Sequence, residues 1–104
     1  MAELTGRRII VTGGASGMGA GLVRAFPRYG ARVVSMDINA EAGADIAVGA
    51  GAGFLHCDMT DQDSVDTAFD RAVAELGGLD VLVHAAGIAP RAAAESMAAA
   101  CGTR

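Results

Sequence analysis

Four short runs of β-branched and apolar residues, each followed by a segment long enough for a helix, constrain this chain more than any other feature. Arg8–Thr12 (RIIVT), Ala31–Asp37 (ARVVSMD), Gly53–Asp58 (GFLHCD) and Leu79–His84 (LDVLVH) read as strands. Their apolar character is near-continuous rather than alternating, the pattern of strands covered on both faces. Gly17–Tyr29 reads as a helix with Leu22, Phe26 and Tyr29 on the stripe that packs against the sheet, stopped by Gly30. Pro27 lies inside it, removes an amide and predicts a kinked or loosened last turn. Asn39 caps a second helix through Ile46 to about Val48. Thr60 and Asp63 make a capping-box-like start to a third, in which Val65, Ala68, Phe69, Ala72, Val73 and Leu76 keep helical spacing until Gly77-Gly78. A fourth helix is expected to begin within 91–100, over Glu95 to Cys101.

The order βαβαβαβ, with crossovers this long, predicts an α/β fold: a truncated doubly wound parallel sheet occupying residues 1–104 as one domain. Right-handed crossovers give strand order 3-2-1-4, with the first two helices on one face and the third on the other. The winding reverses between the first and fourth strands. Ligands of such sheets bind there, beyond the carboxyl ends of the strands.

Composition narrows the function. A chain of 104 residues that is 52% hydrophobic and 19% charged is a packed domain, not a disordered one. A net charge of −4 offers no basic field for nucleic acid. Its eight basic residues are all arginine, and Tyr29 is its one tyrosine, so chemistry that needs a lysine is excluded for this chain by itself. Cys57 and Cys101 form no framework spacing and read as thiols of a reducing compartment. The N-terminus has no apolar signal region, and the longest branched run, Ile9–Val11, is far too short to span a bilayer. A cytoplasmic protein with no membrane partner is expected.

Thr12–Gly19 reads TGGASGMG, between a strand and a helix, the setting of a phosphate-binding turn. Gly13 allows the sharp turn, Gly17 leaves room for a diphosphate, and Gly19 lets the helix approach the sheet. Amides at the helix N-terminus would face the ligand. No lysine follows, which excludes a Walker A loop. An ordinary strand–helix turn rich in glycine is the alternative. Asp37 ends the second strand twenty positions beyond Gly17, where a carboxylate can accept from ribose hydroxyls and repels a 2′-phosphate, or can simply cap the next helix; Ile38 beside it carries no charge to offset that repulsion. Asp58 ends the third strand, where it could meet an adenine amino group or simply lead the next helix. His56, Cys57 and Asp58 alternate in direction along that strand, so no metal site is expected.

Together TGGASGMG, the acidic end of the second strand, CDMTD (Cys57–Asp61) and LVHAAGIAP (Leu82–Pro90) resemble the short-chain dehydrogenase/reductase family, over residues 5 to about 95. The resemblance implies a Rossmann-like fold, a nicotinamide cofactor across the switch point, and hydride transfer to or from an alcohol or carbonyl. It implies that Gly13, Ser16, Gly17, Met18 and Gly19 hold the diphosphate and the adjoining ribose. Asp37 and Ile38 would hold the adenosine ribose, and Asp58 and Met59 the adenine. Ala86 and Gly87 would line the nicotinamide ribose. His84 stands where the family usually has asparagine; it keeps that position's backbone contact and changes its side chain. NAD is expected over NADP.

The family's catalytic serine and Tyr-x-x-x-Lys pair have no counterpart here. The resemblance therefore implies the cofactor-binding half of a longer fold, inactive by itself. Two alternatives stay open: half of a two-chain enzyme, and an interaction module that keeps the fold without the cofactor. An unpaired fourth strand or a bare sheet face would also invite self-association.

Overall fold

Strands β1 (Arg8–Thr12), β2 (Arg32–Asp37), β3 (Gly53–His56) and β4 (Val81–His84) form one parallel sheet in the order β3-β2-β1-β4. The structure, a computed structural model, describes residues 3–15 and 17–85. Helices α1 (Gly17–Ala25), α2 (Ala40–Ala50) and α3 (Gln62–Leu76) fill the crossovers. The expected fourth helix lies outside the described residues.

Side-chain alternation along the sheet divides the core into two layers. Ile9, Val11 and Val33 face α1 and α2, joined by Val23, Phe26 and Ile46. Ile10, Val34, Met36 and Leu55 face α3, joined by Val65, Ala68, Ala72 and Leu76. The first two helices thus cover one face and the third covers the other, as right-handed crossovers require.

The first helix differs from the sequence expectation. Its buried residues are Gly19, Ala20 and Val23. Leu22 and Phe26 are only half-buried, and Tyr29 is 44% exposed. The close approach of α1 to the sheet selects small residues for the inner face, and the large ones fall to the flank. Pro27 produces no kink, because the α-helix closes at Ala25 and the chain continues as a 3-10 helix, Phe26–Tyr29, with the proline in its first turn. A missing amide leaves no broken bond at that position. Gly30, at φ 93°, ends the turn with its amide on the carbonyls of Phe26 and Pro27.

The caps show the same economy. Asn39 caps α2 as expected, accepting from the Ala42 amide at 3.1 Å. For α3 the cap is Asp61, which accepts from the Asp63 amide at 3.0 Å, and not Thr60. Thr60 is held one turn earlier by Asp58, so the helix starts a residue later than the capping-box spacing implies. The third and fourth strands are also shorter than expected, although the Cys57 amide still reaches the Asp37 carbonyl at 3.1 Å.

The amino-terminal ends of the strands are tied by arginines. The Arg8 guanidinium holds Asp80 through two side-chain contacts at 3.0 and 3.1 Å, and the Arg8 amide adds a third at 2.8 Å. These bonds hold the Asp80 carboxyl down at about 2, so the tie stays ionised through mildly acidic pH. Arg32 donates to the Leu76 and Glu75 carbonyls at 2.9 and 3.0 Å, supplying the cation that the last turn of α3 itself lacks. Among the described residues no helix is long and apolar enough to cross a membrane.

Candidate functional site

The parallel sheet brings the sequence-predicted residues to one edge. Gly13–Gly19 follow β1, Asp37 and Ile38 end β2, Asp58 and Met59 follow β3, and His84 ends β4. Ser16, Ala86 and Gly87 lie outside the described residues.

The glycine-rich turn can be read amide by amide. Gly13, at φ 77°, turns the chain off β1. Its amide and that of Gly14 both donate to the Met36 carbonyl, at 2.8 and 3.3 Å. The Ala15 amide donates to Asp37 Oδ2 at 3.0 Å. Three successive amides therefore point back into β2, not toward a ligand. Those that can face one belong to the start of α1, where first-turn amides have no partner within the helix. Gly17 has φ 57°, and among the described residues beyond its chain neighbours nothing lies within 4 Å of the place a Cβ would occupy. Met18 beside it is 57% exposed. An open backbone with unpaired amides at a helix N-terminus fits a diphosphate. Gly19 faces the other way: a Cβ there would strike the backbone of Gly13.

Asp37 sits under this turn. Its Oδ1 accepts from the Asn39 amide at 2.9 Å while Oδ2 holds Ala15. Ile38 follows at 61% exposure, an uncharged neighbour. Ser35, on the same face of β2, is fully buried, and its Oγ lies where a Cβ at Gly14 would stand. Among the described residues that hydroxyl has no hydrogen-bond partner. The sequence signal for the Gly14–Ser35 approach was slight: a second glycine in the turn and a serine among valines.

At the next strand, Asp58 Oδ1 accepts from the Thr60 amide at 2.9 Å and from its hydroxyl at 2.6 Å. The hydroxyl above all, then the amide, holds the Asp58 carboxyl below its usual range. The residue thus has the helix-leading role that sequence left as its alternative, while its position remains at the sheet edge. Met59 packs partly into the α3-side core. Burial pushes the Cys57 thiol up, as for a core residue.

His84 closes the edge on the far side of β1. Its Nδ1 lies 3.1 Å from Thr12 Oγ1, and the Thr12 hydroxyl donates to the Val83 carbonyl at 3.3 Å. Which of Nδ1 and the hydroxyl donates in that contact follows the tautomer of the ring. Burial lowers the imidazole's proton affinity, which favours the neutral ring. The histidine thus bridges β1 and β4 at their carboxyl ends, a contact sequence reasoning did not foresee. An open cavity of about 540 Å³ lies between the end of α1 with its 3-10 extension and the C-terminal half of α2, lined by Arg24, Arg28 and Asp45 among others. It is at the opposite edge of the sheet and shares no residue with the glycine-rich turn.

A family model described as short chain dehydrogenase matches residues 7–101. The chain belongs to the short-chain dehydrogenase family. It is 46% identical over 89 residues to short-chain dehydrogenase reductase 3b of Arabidopsis thaliana, covering 83% of this chain and 35% of that protein. The fold matches a 3-ketoacyl-(acyl-carrier-protein) reductase from Brucella melitensis, complexed with NADH, at TM-score 0.74 and 29% identity, over 77% of this chain and 34% of that one. A short chain dehydrogenase from Burkholderia cenocepacia J2315, in complex with NADP, matches at TM-score 0.72 and 33% identity, over 76% and 35%. The chain spans about a third of the length of the curated relatives it matches. The Rossmann-like sheet and the order of its strands are those of this family of oxidoreductases.

Proposed function

We propose that this short-chain dehydrogenase chain is the cofactor-binding part of an oxidoreductase and takes NAD in preference to NADP. Gly13, Ser16, Gly17, Met18 and Gly19 would hold the diphosphate. Asp37 and Ile38 would hold the adenosine ribose, Asp58 and Met59 the adenine. His84, Ala86 and Gly87 would flank the nicotinamide ribose. The bound nicotinamide supplies a hydride acceptor or donor for an alcohol or carbonyl substrate. The chain's own residues bind and orient it.

One observation carries the preference. A carboxylate ends β2 beside the turn, and the next residue is an exposed isoleucine. Each carboxylate oxygen has two lone pairs, so Asp37 can keep its backbone donors and still accept from ribose hydroxyls. A 2′-phosphate there would meet the same carboxylate with no cation supplied by Ile38. Calorimetric titration of the 104-residue chain should show NAD bound at least about tenfold more tightly than NADP, a difference of roughly 1.4 kcal/mol. Equal affinities would refute the role of Asp37.

The reading extends to compartment and assembly. Scattered thiols support a reducing, cytoplasmic setting. At β4, Val81 and Leu82 are 41% and 38% exposed, with Leu79 just before them at 38%, and among the described residues the strand pairs with β1 alone. Such an edge favours pairing with a second copy of the chain. Sedimentation at rising concentration should show self-association that Val81→Lys weakens. A monomer throughout the micromolar range would contradict it.

A further inference from the structure

We infer that Asp37 is a positioning residue for the glycine-rich turn as well as a ribose acceptor, an inference that rests on the binding reading above. Gly13 and Gly14 are tied to β2 through a backbone carbonyl, that of Met36. Ala15 is tied through a side chain, Asp37 Oδ2 at 3.0 Å. The other oxygen, Oδ1, holds the Asn39 amide at 2.9 Å, and Asn39 is the cap of α2. One carboxylate therefore fixes the turn on one side and the entry to α2 on the other. Its bond to Ala15 is the last described tie before the chain reaches Gly17, where the amides facing the diphosphate begin. An amide bonded to an ionised oxygen is held more strongly than one bonded to a neutral acceptor. The residue that meets the adenosine ribose thus also sets where the diphosphate amides stand.

Inorganic pyrophosphate separates the two duties, because it carries no ribose. Asp37→Asn keeps the size of the side chain and removes its charge. Were the carboxylate only a ribose acceptor, removing a negative charge beside the turn would leave pyrophosphate binding unchanged or tighten it. As a turn anchor, its replacement presents an amide group to one of two backbone donors and loosens the turn. Titration of the 104-residue chain should show pyrophosphate binding weakened by about fivefold or more in Asp37→Asn. Unchanged or tighter binding overturns the inference. A second measurement needs no variant and no ligand: the Ala15 amide of the unaltered chain should exchange with deuterium far more slowly than an open coil amide. Exchange at the coil rate also overturns it. If the unaltered chain takes up no NAD, the proposed function fails, and Ala15 exchange decides the anchor separately.

Discussion

Gly19→Ala should undock the start of α1 and, with it, abolish dinucleotide binding. A Cβ at this position would stand 2.7 Å from the carbonyl carbon of Gly13, closer still to its oxygen, and 3.1 Å from Ala85 Cβ. The first two atoms are backbone, held by the Gly13 amide bond to Met36, so no side chain can swing aside. Alanine gains up to about 1 kcal/mol over glycine inside a helix. Overpacking against fixed atoms costs about 1–3 kcal/mol and sometimes more, so the clash wins. Against a total of about 5–15 kcal/mol, that loss is large for a domain this small. Gly21→Ala is the control: it lies in the same helix with none of the described residues outside that helix's backbone within 4 Å of its Cβ, and it should be neutral or slightly stabilising. Urea unfolding reads the first difference and NAD titration the second. Equal stability of the two variants would refute the packing argument.

The chain by itself should transfer no hydride. A positioned general acid or base contributes about 10²–10⁴ in rate, and it must reach the substrate oxygen. The sequence contains no lysine and one tyrosine. Tyr29 precedes β2, at the amino-terminal end of the sheet, with its carbonyl bonded to the Leu4 amide at 2.8 Å. The turn, Asp37 and His84 are all at the other end. An assay following NADH absorbance with a panel of secondary alcohols should stay at background. Turnover that persists in a single purified 104-residue species would refute this.

The strands, their order and the faces of the helices were legible because each rests on a strong local signal. Runs such as RIIVT and the glycines at 30, 51 and 77, all with positive φ, mark where elements begin and stop. The edge that gathers Gly13, Asp37, Asp58 and His84 follows from topology and needs no side-chain detail. What sequence missed depends on distance between segments. Periodicity chose Leu22 and Tyr29 for the inner face of α1 because it weighs size, whereas contact with the Gly13 backbone selects Gly19, and Ala20 beside it is buried. The bonds from Ala15 to Asp37 and from His84 to Thr12 join residues 22 and 72 positions apart, and no spacing rule announces them.

Strand β2 carries opposite charges at its two ends, and each matches the helix it touches. Arg32 meets the negative carboxyl end of α3 on one face, and Asp37 lies under the positive amino end of α1 on the other. A single extended segment thereby aligns both helical layers, as a tie beam braces the two slopes of a roof. Reversing either charge would push apart layers that lie on opposite faces of the sheet. The tolerance of this fold to surface change should therefore be narrowest along β2, even though most of its length is apolar.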